Sequence, residues 1–218
     1  MKVKRGIEEV AERLEHARVI GIARLADAGV VVEACAEAVA RGLGAVEIPY
    51  TVPGAARAIS ELRSRLEGEV LVGAGTVRTR AQLDEAIAAG AEFLVAPGLN
   101  PELVEAAASA GILFLPGVYT ASEVDRALGL GLRLLKLFPA EPAGPGHLAA
   151  LLQPFPEARF VPTGGVDPGN AAAFLRAGAA ALGMGSSIFP PGMIAAEGVQ
   201  VVRRLVDEAM AAVGRGGS

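Results

Sequence analysis

The chain has 218 residues and a mass of 22.1 kDa; 52% of its residues are apolar and its mean hydropathy is +0.43, which excludes a disordered chain. Twenty basic against 24 acidic residues give a net charge of −4 and a pI near 5.3, and aromatics make up only 4%, so nucleic acid is not an expected partner. Glu, Arg, Pro or Gly interrupts each apolar stretch before it reaches the length of a membrane span. The N-terminus runs from Lys2, Lys4 and Arg5 straight to Glu8 and Glu9 without a signal-peptide core, and lone Cys35 has no internal disulfide partner, so a cytoplasmic protein is expected.

An N-terminal segment, read as an extra helix, precedes a first apolar run near Val19. That run ends at Ala23-Arg24, where a guanidinium fork could hold an anion or simply face solvent. Asp27 then caps a segment in which Val31, Ala34, Cys35, Ala38 and Val39 share one face and Glu33, Glu37 and Arg41 another, the spacing of an amphipathic helix. Cys35 on the apolar face is a small core residue. The second run, from Ala45, contains Glu47 among apolar neighbours, where burial demands a partner or a proton.

The third run, near Val70, ends in Gly73-Ala74-Gly75-Thr76, which lacks the spacing of a dinucleotide fingerprint. Capping box Thr79…Gln82 follows it. Runs near Phe93 and Leu113 end at Ala96-Pro97-Gly98 and Pro116-Gly117-Val118, and Asn100-Pro101 and the capping box Thr120…Glu123 start the next helices. The sixth run, from Leu134, carries Lys136 between Leu135 and Leu137. Of three lysines against 17 arginines, it alone lies outside the N-terminal segment. Desolvation lowers a lysine pKa and leaves an amine able to attack a ketone; a structural ion pair with Glu47 is the alternative.

The seventh run, from Phe160, ends in Thr163-Gly164-Gly165 ahead of a helix start at Asp167-Pro168, and the eighth, from Ala180, in Gly183-Met184-Gly185-Ser186-Ser187. Such loops hold phosphate on backbone N–H groups, or merely make turns. Gly44, Gly90, Gly111 and Gly131 are expected to end helices. His16 and His147 stand far apart, so metal-ligand spacing is absent and metal-free chemistry is expected.

Eight runs at steps of about 20 to 26 residues predict parallel strands with crossover helices, hence a single-domain α/β (β/α)8 TIM barrel over residues 1–218 with a Gly-rich tail after about Val213. An open doubly wound sheet satisfies the same alternation.

Taken in order, Glu47-Ile48, Val72-Gly73-Ala74-Gly75-Thr76-Val77, Ala96-Pro97-Gly98-Leu99, Leu115-Pro116-Gly117-Val118, Leu135-Lys136-Leu137-Phe138-Pro139-Ala140-Glu141, Val161-Pro162-Thr163-Gly164-Gly165-Val166 and Gly183-Met184-Gly185-Ser186 resemble the 2-keto-3-deoxy-6-phosphogluconate / 4-hydroxy-2-oxoglutarate aldolase family over nearly the whole chain. The resemblance implies a class I aldolase on a (β/α)8 barrel, a homotrimer without a cofactor. It releases pyruvate and glyceraldehyde 3-phosphate from a phosphorylated keto acid.

On that resemblance Lys136 matches the Schiff-base lysine and Glu47 the acid/base residue. Thr76 and Pro97 match the pyruvate site; Thr163, Gly164, Gly165, Gly185 and Ser186 match the substrate and phosphate side. Many members carry Arg four residues after the catalytic Glu, where this chain has Thr51, which shifts anion binding toward Arg24. The residues alone leave open a sugar-phosphate isomerase or epimerase, which needs no covalent lysine, and a noncatalytic barrel that binds a phosphorylated metabolite.

Overall fold

A computed structural model describes residues 6–66 and 70–214; Lys2, Lys4 and all but the start of the Gly-rich tail lie outside the described residues. Helix α1 (Ile7–Ala17) comes first. Strands β1 (Val19–Ile22), β2 (Ala45–Pro49), β3 (Leu71–Gly75), β4 (Phe93–Val95), β5 (Leu113–Leu115), β6 (Gly117–Val118), β7 (Leu134–Leu137), β8 (Arg159–Pro162) and β9 (Leu182–Met184) follow in chain order. Between or after them come α2 (Ala28–Ala40), α3 (Ala55–Arg65), α4 (Arg80–Ala88), α5 (Pro101–Ala110), α6 (Ala121–Gly129), α7 (Ala140–Leu152), α8 (Ala171–Arg176), α9 (Pro191–Glu197) and α10 (Val201–Gly214). The alternation predicted from the apolar runs is present: the eight expected strands start within two residues of their places, and β6 is an additional short strand.

The described strand pairings are parallel. One sheet has the order β5-β4-β3-β2-β1-β9 and the other β6-β7-β8. Pro116 separates β5 from β6, because proline has no N–H for the ladder. There the chain changes neighbours: Leu115 accepts from Ala96 on the β4 side, and Pro116 accepts from Lys136 on the β7 side. Parallel bridges Phe160↔Ala179 and Thr163↔Gly183 set β8 beside β9.

Strands covered on both faces read as continuous apolar runs, and these do. Their outward side chains pack with the helices in one large core, which includes Val31, Ala34, Cys35 and Ala38 of α2 as their spacing predicts. A second core gathers Ile20, Ala45, Leu71, Phe93, Leu113, Leu134 and Val161 from seven strands against Val10, Ala11 and Leu14 of α1. Helix α1 therefore covers the ends at which the strands begin.

Asp27, Thr79, Asn100 and Thr120 cap their helices, with both capping boxes closed. Two expectations need correction. Helix α8 starts at Ala171, because Asp167 spends its side chain on the N–H groups of Gly169 and Asn170 in a preceding turn. After α2 the left-handed residue is Gly42 rather than Gly44. Among the described residues no helix is long and apolar enough to cross a membrane.

Candidate active site

Three polar or charged residues are buried among the described ones: Glu47, Lys136 and Thr163. They come from β2, β7 and the end of β8 and open on one cavity of about 280 Å³. Arg24, Phe138, Gly164, Gly165, Gly185 and Ser186 also line it, along with Ile22, Val166, Phe189 and Pro191. Eight of the ten expected site residues thus meet in one place, at the ends where the strands finish. Thr76 and Pro97 sit at the same ends of β3 and β4 and are half-buried, but they are not among the lining residues. Thr51 is exposed just past β2 and does not line the cavity.

Lys136 is held by the strand ladder, in register with Gly117 of β6 and Val161 of β8. Burial pushes its amine below the ordinary lysine value. The Glu47 carboxylate opposes that shift, and the Arg24 guanidinium adds to it. Burial likewise pushes the Glu47 carboxyl up, against the pull of Lys136 and Arg24. Each group is moved toward its uncharged form, so a proton can reside on either at modest cost. Arg24 is exposed at the rim and acts on both by its field.

The Glu47 side chain lies where a side chain on Gly75 would be. A Cβ at Gly75 would stand 1.8 Å from Glu47 Oε1, so glycine at the end of β3 clears the carboxylate's place. The Thr163 hydroxyl donates to the Val161 carbonyl at 3.2 Å and sits in space left by Gly183, where a Cβ would stand 2.3 Å from Oγ1.

The loop after β8 has its carbonyls tied down. Thr163 O accepts from Ala140 N and Gly164 O from Glu141 N, both at 2.9 Å at the start of α7, and Gly165 O accepts from Asn170 Nδ2 at 2.8 Å. In a planar trans peptide the N–H points opposite to the carbonyl. The N–H groups of Gly164, Gly165 and Val166 therefore face away from α7 and Asn170, along a loop that lines the cavity. Both glycines have left-handed φ, +90° and +78°, a backbone that residues with side chains rarely adopt.

Sequence reasoning missed Phe138, whose ring centroid lies 4.7 Å from Lys136 Nζ. The signal was there, since residues two apart on a strand project to one side. Phe189 and Pro191, brought in by the turn after β9, had no such signal. His147 is accounted for structurally: Nε2–H donates to Tyr119 O at 2.7 Å and the ring stacks on Tyr119.

A desolvated amine, a carboxyl tuned against it and a glycine loop beside the same cavity, all at the finishing ends of parallel strands, are the groups that an aldolase working through an imine requires. The sequence comparisons agree in detail. The model of the "KDPG and KHG aldolase" family matches residues 10–205, and the chain belongs to that family. It is 35% identical over 206 residues to the 2-dehydro-3-deoxy-phosphogluconate aldolase of Treponema pallidum, covering 94% of this chain and 98% of that one. With the enzyme of the same name from Zymomonas mobilis it shares 38% over 189 residues, 86% and 88% of the two chains. Among solved structures it superposes with TM-score 0.83 and 30% identity on the KDPG aldolase of Legionella pneumophila, over 90% of this chain and 96% of that one. That structure holds pyruvate captured at low pH as a covalent carbinolamine intermediate.

Proposed function

We propose that this aldolase cleaves 2-keto-3-deoxy-6-phosphogluconate to pyruvate and glyceraldehyde 3-phosphate, and acts on 4-hydroxy-2-oxoglutarate as well, with Lys136 as the Schiff-base residue. The observation that carries the reading is the shared burial of Lys136 and Glu47 on one cavity beside the Gly164-Gly165 loop. The Lys136 amine attacks the C2 ketone to give a carbinolamine. Glu47 supplies the proton with which its hydroxyl leaves as water, and the nitrogen becomes an iminium. The bond between C3 and C4 then breaks as its electron pair moves to that nitrogen. The C4 hydroxyl gives its proton to the Glu47 carboxylate, directly or through water, and the aldehyde departs. Proton return to C3 and hydrolysis release pyruvate and restore the amine.

In this reading Arg24 and the N–H groups of the Gly164-Gly165 and Gly185-Ser186 loops hold the substrate's anionic ends, Thr163 accepts from a substrate hydroxyl, and Thr76 and Pro97 support the pyruvate end from behind Gly75 and Gly117. The scaffold is read as one domain, a closed (β/α)8 barrel with α1 as its extra N-terminal helix. Closure is supported by the bridges that set β8 beside β9 and by the change of partner across Pro116. Homotrimeric assembly and a cytoplasmic location are supported by the family resemblance and by the sequence reading given above.

Borohydride reduction in the presence of pyruvate tests the assignment. The peptide containing Lys136 should gain a pyruvate-derived mass, and Lys136→Ala should lose both that mass and turnover. A mass on another residue, or turnover surviving in Lys136→Ala, overturns it.

A further inference from the structure

Phe138 is the one exposed aromatic side chain among the described residues. Phe93, Phe160, Phe174 and Phe189 are fully buried, whereas Phe138 is 36% exposed at the mouth of a cavity that holds three polar or charged buried residues. Its ring nonetheless has neighbours on two sides. Lys136 Nζ stands over it at 4.7 Å from the centroid, and a Cβ on Gly164 would come within 3.1 Å of its Cε2. The glycine that turns its N–H toward the anion side thus also leaves room for the ring beside the amine.

A cation within about 6 Å of a ring face is attracted by the negative charge of that face, and more strongly where water is excluded. Lys136 is 5% exposed, which meets both conditions. An aliphatic side chain of similar size would fill the space without the attraction.

We propose that Phe138 is a catalytic residue of the imine stage, its ring face holding the positive charge on the Lys136 nitrogen when water leaves the carbinolamine and the iminium forms. The proposal rests on the Schiff-base assignment of Lys136. The ring gives no proton and forms no bond. When the C3–C4 bond breaks, the electron pair cancels the charge on nitrogen and the attraction is lost, so the ring favours imine formation rather than cleavage. Its removal should raise KM and the pyruvate concentration needed for half-maximal trapping far more than it lowers kcat.

The test is borohydride trapping across a pyruvate titration, with steady-state kinetics on the same proteins. Phe138→Leu should raise the half-trapping concentration by roughly 2- to 30-fold, and Phe138→Tyr should stay near the parent. Mono-, di- and trifluorophenylalanine placed at position 138 keep the ring's shape while draining its face, and should raise the concentration stepwise. This series also serves if the leucine variant fails to fold. A flat fluorination series, with normal trapping in the parent protein, overturns the role of Phe138 and leaves the Schiff base standing. Absence of trapping on Lys136 in the parent protein overturns both.

Discussion

Two buried ionisable side chains carry a cost that the rest of the molecule must bear. Because burial raises the Glu47 carboxyl, the folded state binds its proton more tightly than the unfolded chain does. The stability linked to it is full below the unfolded value and is lost as pH rises through the folded one. Lys136 has the opposite sign: with its value lowered, the linked stability is full above the ordinary lysine value and is lost as pH falls through the folded one. Near neutrality neither group is at its best for stability. Replacing both by apolar side chains, E47L/K136M, should therefore raise unfolding stability by about 1–4 kcal/mol in urea titrations while abolishing turnover. A double variant less stable than the parent would show that the pair holds the fold together. Gly75→Ala makes a separate prediction, since its Cβ would displace the Glu47 carboxylate: kcat should fall about 10²-fold with the circular dichroism spectrum unchanged. At this scale Lys136 and Glu47 were legible, as charges inside apolar runs. The clearance at Gly75 was not, because it depends on the register that sets Pro49 against Gly75.

At the scale of elements, local chemistry was the readable part. A side chain that caps its own helix does so within three or four residues, so Thr79…Gln82 and Thr120…Glu123 could be recognised and both boxes are closed. Thr120→Ala should cost about 1 kcal/mol in urea unfolding, with kcat/KM nearly unchanged. Where a cap competes with a turn, spacing misleads: Asp167 is taken by Gly169 and Asn170, and α8 begins later. The partnerships between elements were out of reach. Arg63 of α3 meets Glu92, just before β4, at 2.5 Å, with side-chain exposures of 17% and 11%, and Glu92 also accepts from Val72 N of β3. Glu92→Ala, which removes this ion pair and the acceptor of Val72 N, should cost about 1–3 kcal/mol by the same measurement. The switch at Pro116 was equally hidden, because a proline between two apolar stretches does not reveal that each pairs with a different strand.

For the molecule as a whole, periodicity gave eight strand positions but not the order in which they pair, since that depends on contacts far apart in sequence. Leu14 of α1 is fully buried against the second core, so Leu14→Ala should lower stability by about 2–5 kcal/mol in thermal or urea unfolding, although it lies at the far end from Lys136. That helix also sets which end of the strands is left for the site. With α1 packed on the starting ends of the strands, the cavity lined by Glu47 and Lys136 lies at the opposite, finishing ends, beside Arg24 and Phe138. On the proposed Schiff-base role of Lys136, the cleaved aldehyde leaves while its three-carbon partner is still tethered to nitrogen, so the order of departure is aldehyde first, pyruvate last.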